Sequence, residues 1–327
     1  MTNNTKAFVI GTVYGLAMRL LFGVTGLLNS HDKTRAGGPM LSAFVLLVPI
    51  LIGAITIYLA DQKEITLGKA ITKPWLPTLA FVAGTALLLI EGSVCIAMAL
   101  PIFLVGASLG GVIAYVVLRT MRPSPGAMSV LLALPVAIGY AETHIPLPQN
   151  TFAAKDSVYI AAKPDAIWQL INNATHITPE EMHGGLAYAV GVPYPIEAVT
   201  LSTGSQRVRK LKWQKNVAFD EPITAWEENR FIQWDYAFKP ESFPAGSLDD
   251  HVVIGGKYFD LIDTSYRLTP EGSGTRLEIV VNYRVSTNFN FYATAWARIL
   301  VDDAAATILR FYQHRIESAY HGATQAM

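Results

Sequence analysis

Few residues in this sequence have types and spacing suited to chemistry, and most of those lie in its second half. An extended Arg207–Trp213 would place Arg207, Arg209, Leu211 and Trp213 on one face. A guanidinium on that face could hold a carboxylate or phosphate through paired hydrogen bonds. The competing reading is a solvated strand end, because Arg207-Val208-Arg209-Lys210-Leu211-Lys212 is basic throughout. Asp260 shares a two-residue register with Ile262, Thr264, Tyr266 and Leu268. A carboxylate on an apolar face needs a partner, and Arg209 is the expected one. His251, after Asp249-Asp250, is a candidate general base in a loop, with simple exposure as the alternative. Aromatic rings supply candidate walls for an apolar ligand site: Trp213, Trp234, Tyr236 and Phe238 in the middle of this half, then Tyr258 and Tyr283, then Tyr292 and Trp296 near the end. For each ring, ordinary core is the competing reading.

Metal and cofactor chemistry is not expected. His176 and His183 flank Glu180 and Glu181, but the spacing matches no zinc signature and Pro179 interrupts a helix there. Cys95 is the single cysteine, which excludes a disulfide framework and a cysteine-based zinc site. No phosphate loop, dinucleotide fingerprint or nucleophile elbow occurs. Net charge is zero, so no global basic field would draw nucleic acid.

The elements that must position these residues divide at about residue 146. Apolar residues make up 51% of the 327 and charged ones only 15%, against about 25% charged in a soluble domain. The deficit is mostly in the first half. Residues 1–146 hold nine Lys/Arg and five Asp/Glu; residues 147–327 hold sixteen and twenty. A membrane domain over 1–146 follows, with about five spans expected at 7–28, 41–60, 75–92, 96–118 and 127–141. Four spans with a re-entrant piece is the alternative. The first run lacks a small-residue cleavage site and does not read as a cleaved signal peptide. Gly106, Gly110 and Gly111 have the small-residue spacing of a close helix–helix contact. Arg19 and Glu91 fall at membrane depth, where a charge costs roughly 2.5–3.5 kcal/mol. They either pair inside the bundle, or Glu91 lies in an interfacial turn and Arg19 reaches out to the surface.

Loop lysines and arginines set the expected orientation. With five spans, Lys6, Lys63, Lys69, Lys73, Arg119 and Arg122 share one side, against Lys33, Arg35 and Lys155 on the other. The first side would be cytoplasmic in a multi-pass protein of the cell (inner) membrane, leaving the second half outside the cytoplasm.

Residues 147–151 read as a linker after His144-Ile145-Pro146, and 152–327 as an α+β domain. A strand is expected at Asp156–Ala161 and a helix from Pro164-Asp165, where proline and an acidic residue suit a first turn. A second short helix is expected at Pro179–His183. Period-two segments follow at Arg207–Trp213, Arg230–Phe238, Tyr258–Leu268 and Thr275–Val285, with a hairpin turn at Gly272-Ser273-Gly274. A long amphipathic helix closes the chain at about 289–320, with Tyr292, Trp296, Ile299, Leu300, Ala304, Ile308 and Phe311 as its stripe. A curved sheet and a helix, each with one apolar face, would bury those faces together and leave a cavity.

This order, with Val158-Tyr159-Ile160-Ala161-Ala162-Lys163-Pro164-Asp165-Ala166-Ile167-Trp168 and Gly274-Thr275-Arg276-Leu277, resembles the SRPBCC superfamily over about residues 152–327. That group has the helix-grip fold of START lipid-transfer domains, the birch-pollen allergen and the polyketide cyclase/dehydrase proteins. The first half, through Glu91-Gly92-Ser93-Val94-Cys95-Ile96-Ala97-Met98 and Gly110-Gly111, resembles bacterial proteins that fuse a polytopic segment to such a domain. The resemblance implies a hydrophobic-ligand cavity and no fixed reaction. The leading expectation is a membrane-anchored domain that binds, transfers or senses a lipid or other hydrophobic small molecule. Its alternatives are a cyclase/dehydrase-type enzyme using Asp260, His251 or a tyrosine, and a regulatory membrane protein with no ligand. The expected partners are the bilayer and an apolar ligand, with no nucleic acid.

Overall fold

A computed structural model describes residues 2–29, 38–121, 125–204, 206–249 and 253–325. The chain forms two compact units, Met1–Pro148 with Asp249–His251 and Thr287–Phe289, and the remainder from Gln149 onward.

The first unit is helical: α1 (Asn3–Asn29), α2 (Val48–Leu59), α3 (Leu67–Thr72), α4 (Trp75–Leu87), α5 (Ser93–Thr120) and α6 (Pro125–Glu142). A 3-10 turn (Gly38–Met40) and a π turn (Ala43–Leu47) lead into α2. The sequence predicts five spans, but among the described residues only Asn3–Val24 and Ser93–Thr120 are long and apolar enough to cross a membrane. Ala43–Leu59 and Ser129–Glu142 are apolar but shorter. Helix α4 has 13 residues, about 20 Å at 1.5 Å per residue, against roughly 30 Å of hydrocarbon. It stops because Leu88 leaves helical geometry and Leu89 adopts a positive φ of 53°. The backbones of α2 and α5 nearly touch: a Cβ on Gly53 would lie 2.0 Å from the Ala107 carbonyl oxygen, and one on Gly110 would lie 1.8 Å from that of Ile50. The glycine spacing on α5 thus serves a close helix–helix approach. On α5, Val105, Leu109, Ile113 and Val116 form a contiguous exposed apolar stripe, and α6 exposes Val130, Leu131, Leu134 and Ile138.

Buried charges hold this unit at three points. Arg19 donates through Nε to Glu91 and through Nη2 to the Ile90 carbonyl at 3.2 Å. Both sequence readings therefore hold in part: the pair forms, and Glu91 sits in the turn between α4 and α5. Asp249 accepts from the backbone N–H of Gly92, and from that of Cys95 at 3.2 Å, at the start of α5. Glu142 accepts from the N–H groups of Ser42 (2.6 Å) and Ala43 (2.9 Å) and from Asn288 Nδ2 (2.9 Å). Asp249 and Glu142 each satisfy amides that a helix start leaves without internal partners.

The second unit contains β1 (Asn150–Ile160), α7 (Pro164–Asn172), β2 (Asn173–Ala174), α8 (Leu186–Ala189), β3 (Pro195–Thr203), β4 (Gln206–Trp213), β5 (Ala218–Glu227), β6 (Phe231–Asp235), β7 (Phe259–Glu271), β8 (Gly274–Val285) and α9 (Asn290–Gln325). The strands form one curved antiparallel sheet in the order β1-β8-β7-β6-β5-β4-β3-β2. Helix α9 packs against β1, β8, α7 and α8. A half-barrel of this order around a long C-terminal helix is the helix-grip arrangement.

Several boundaries differ from those read in the sequence. Strand β1 starts at Asn150, inside the expected linker, because its full length pairs with β8 from Asn150↔Val285 to Ile160↔Thr275. The expected helix at Pro179–His183 is a series of turns, and α8 follows it. The buried face of α9 is rotated by one residue along most of its length, although Phe311 of the expected stripe is buried. Ala293, Ala297, Ala305, Leu309, Tyr312 and Ile316 face inward, while Tyr292 and Trp296 are half-buried and Ile299 is exposed. The small side chains of Ala293 and Ala297 let the helix approach its neighbours, and the large rings flank that contact.

Candidate functional site

The sheet's inner face follows from alternation. Arg209, Leu211 and Trp213 of β4, Phe219 and Glu221 of β5, Trp234 of β6, Thr264 and Tyr266 of β7, and Ile279 and Val281 of β8 all turn inward. Most of them, with Ile308, Phe311 and Tyr312 of α9, and Ile177 and Met182 of the segment after α7, enclose a mostly apolar cavity of about 70 Å³. That segment is fastened to α9. Arg315 forms a two-pronged pair with Glu181 (2.7 and 2.6 Å) and donates to the Thr175 carbonyl at 2.8 Å. Asp303 accepts from the Ala187 N–H at 2.8 Å.

One ion pair lies in the cavity wall. Arg209 and Glu221 stand opposite each other on β4 and β5, only 4% and 2% exposed. Arg209 Nη1 donates to Glu221 Oε2 at 2.6 Å, Nη2 to the Tyr312 hydroxyl at 3.3 Å, and Nε to the Ile171 carbonyl at 3.3 Å. The guanidinium also lies over the Trp234 ring, 4.7 Å from its centroid. Burial pushes the Glu221 carboxyl up to about 7, and the adjacent Arg209 charge offsets only part of that desolvation. Burial also works against the Arg209 charge, but Glu221, Tyr312 and Tyr266 outweigh it and hold its pKa above the ordinary value. Only the Glu221 shift has consequences at accessible pH, because arginine stays charged throughout. Burial also raises the Tyr236 hydroxyl, which is hydrogen-bonded to Thr264 Oγ1 at 2.7 Å.

Two donors in this wall have no acceptor. The indole Nε1 atoms of Trp213 and Trp234 are buried without a hydrogen-bond partner. The Trp234 N–H lies close enough to the Glu221 carboxyl and the Tyr236 hydroxyl to lower both pKa values, yet it falls outside hydrogen-bonding geometry with either. Buried donors of this kind are rare in folded proteins.

Of the residues singled out in the sequence, Arg209, Trp213, Trp234 and Tyr236 line the cavity; Tyr258, Asp260, Tyr283, Tyr292 and Trp296 do not. Asp260 is the clearest correction. An extra residue between Leu261 and Asp263 bulges β7, so that Leu261 opposes the inward Tyr283 and Asp260 opposes Arg284. Asp260 therefore sits on the other face, 3.9 Å from Arg284. Burial raises its carboxyl and Arg284 opposes that shift. The sequence pairs Arg209 with Asp260; the partner found is Glu221, and the reading of Arg209 as a solvated strand end falls with its burial. Tyr258 and Tyr283 are buried core residues. His251 lies outside the described residues, as do Lys33, Arg35 and Arg122. Glu221 and Tyr312 are cavity-lining residues that the sequence reading misses, although Phe219-x-Glu221-x-Ile223 carries the alternation that places Glu221 inward. Among the described residues, the group with metal-ligand spacing is Glu91, Cys95 and Asp249 in the first unit. Its acids are already engaged, Glu91 by Arg19 and Asp249 by backbone amides.

No family model and no curated protein matches this chain. Solved structures similar to it include a protein from Thermus thermophilus, 14% identical, covering 51% of this chain and 99% of that one at a TM-score of 0.33. Another is the Zhui aromatase/cyclase from a Streptomyces species, 14% identical over 51% and 94% of the two chains at 0.31. A third is the di-domain aromatase/cyclase StfQ from the steffimycin biosynthetic pathway, 10% identical over 60% of each chain at 0.32. At these scores the fold assignment rests on the strand order and on α9.

Proposed function

We propose that the second unit binds a hydrophobic small molecule or lipid-derived group in the cavity between sheet and α9, and that the first unit anchors it in a membrane. The cavity carries the reading: apolar walls around a few buried polar groups, which is how small-molecule sites are built. Its small volume favours a compact ligand in the closed form. The exposed apolar stripes on α5 and α6 support anchoring, since an exposed apolar surface of that extent suits lipid better than water. Placement of the second unit on the non-cytoplasmic side rests on the lysine and arginine positions in the sequence and needs an odd number of spans; the two candidate spans alone would return it to the side of the N-terminus. An active cytoplasm-only reporter fused at the C-terminus would overturn it.

The test of binding uses the full chain in lipid nanodiscs. Titration with a panel of apolar molecules, followed by tryptophan fluorescence, should give saturable changes. The cavity-filling change Ala198→Leu should abolish them, because Ala198 is buried in the cavity wall. No saturable response, or one unaffected by Ala198→Leu, would overturn the reading. One observation favours a second reading, an enzyme acting on a hydrophobic substrate: Glu221, in the cavity wall, has its carboxyl pushed up to about 7, in the range of a working acid or base. That reading predicts that Glu221→Gln leaves binding intact and ends turnover.

A further inference from the structure

We propose that the ligand of this cavity is an uncharged, compact apolar molecule bearing a hydrogen-bond-accepting oxygen, seated on the indole N–H groups of Trp213 and Trp234. The inference rests on the reading of the cavity as a ligand site and specifies what that site selects.

Three observations carry it. First, both indole nitrogens belong to cavity-lining residues, are buried, and have no acceptor. A buried donor left without a partner costs a desolvation penalty that a bound acceptor removes. An apolar ligand without oxygen would leave both donors orphaned. Second, the cation in the wall is already engaged. Arg209 is committed to Glu221, Tyr312 and the Ile171 carbonyl, with its face on Trp234. The other charged group lining the cavity is Glu221 itself. While Glu221 is ionised the wall is neutral as a pair, and an anionic headgroup would then bring a second negative charge beside Glu221 in a buried site. The single Arg209 charge already balances Glu221, so a carboxylate ligand would leave one buried negative charge in excess. Third, the cavity is small, about 70 Å³, against roughly 150 Å³ for a cavity that holds benzene, so the ligand is compact and even a single ring enters only with some opening of the wall.

The remaining polar groups in the wall agree with this. The Tyr236 hydroxyl and Thr264 Oγ1 satisfy each other at 2.7 Å, and the Tyr312 hydroxyl accepts from Arg209. The two indoles are thus the groups in the wall with an unmet need, and both are donors. The matching chemistry is a ketone, ester, ether or quinone-like oxygen on an apolar body. A hydroxyl would serve through its lone pairs but would bring a donor that the indoles cannot use.

Three probes of similar shape separate the possibilities: acetophenone, ethylbenzene and benzoate, titrated into the full chain in nanodiscs at a pH well above 7, where Glu221 is ionised. Acetophenone should bind about tenfold more tightly than ethylbenzene, the worth of one to two net hydrogen bonds. It should exceed benzoate by at least about tenfold. In the unaltered chain labelled with ¹⁵N-tryptophan, two indole N–H resonances should shift downfield with acetophenone and stay unshifted with ethylbenzene. Those two should be the ones missing from Trp213→Phe and Trp234→Phe. Equal binding of acetophenone and ethylbenzene, or tightest binding of benzoate, would overturn the inference while leaving the cavity a ligand site. No binding of any of the three would overturn both.

Discussion

Among the described residues two arginine–glutamate pairs are buried, one in each unit, and they are built differently. Arg19 and Glu91 are 72 residues apart and tie the middle of α1 to the turn after α4. Arg209 and Glu221 are 12 residues apart and face each other across neighbouring strands. In the first pair the arginine also takes a turn carbonyl, Ile90; in the second it takes a tyrosine hydroxyl, a helix-end carbonyl and a tryptophan face. The same two residue types thus do two jobs. The first is a tertiary clasp in an apolar bundle, and the second is a polar floor in the cavity between sheet and α9. A buried ion pair says little about stability by itself; what surrounds it decides its role.

The largest expected effect comes from breaking the second pair. Glu221→Ala leaves the Arg209 charge buried alone and should cost about 3–5 kcal/mol, read by chemical denaturation of the full chain followed through near-UV circular dichroism. The joint replacement Arg209→Met with Glu221→Leu should recover most of that loss. If the double change is as damaging as the single one, the pair is held by more than charge.

The first pair should respond more weakly. Glu91→Ala should cost roughly 2.5–3.5 kcal/mol, the penalty for a lone charge at membrane depth, measured by detergent-induced unfolding. Arg19→Met with Glu91→Leu should again restore stability. A negligible cost for the single change would mean that Arg19 finds solvent or headgroups instead.

Titration separates the second pair further. The folded-state pKa of Glu221 is raised to about 7 from 4.5, so the folded protein holds that proton more tightly than the unfolded chain. The stabilisation is full below about pH 4.5 and is lost as pH rises through about 7. Melting temperature should therefore fall across that window in the unaltered protein, and Glu221→Gln should flatten the fall. An identical profile in both proteins would place the titration elsewhere.

The half-exposed Arg315–Glu181 pair, 24% and 27% exposed, supplies the control for burial. Arg315→Gln should cost only about 1 kcal/mol. Its main effect should be faster ligand exchange by stopped-flow fluorescence, because the segment carrying Ile177 and Met182 loses its tie to α9.

The two pairs also mark how far the sequence can be read. Arg19 and Glu91 stand out because little else in the first half is charged, and their pairing is one of two readings the sequence allows. Span number is less legible: hydropathy counts apolar residues but does not register that Leu88 and Leu89 leave the helix and shorten α4. In the second half, alternation locates most strands and puts Arg209, Trp213 and Trp234 on the cavity face. It misplaces Asp260, because a bulge adds one residue and inverts every side chain before it. Glu221 escapes notice because one carboxylate among twenty in that half carries no signal until its strand is paired.

Glu142 has a further consequence, in the order of events during synthesis. The amides of Ser42 and Ala43 meet their carboxylate 100 and 99 residues later in the chain. At about 5–20 residues per second, the turn leading into α2 leaves the ribosome roughly 5–20 s before the acid that completes it. Asn288, the third donor to the same carboxylate, follows 146 residues after Glu142. The helix start is therefore finished in stages by groups made long after it, and chains truncated before residue 142 would leave those amides open to whatever acceptor is nearby.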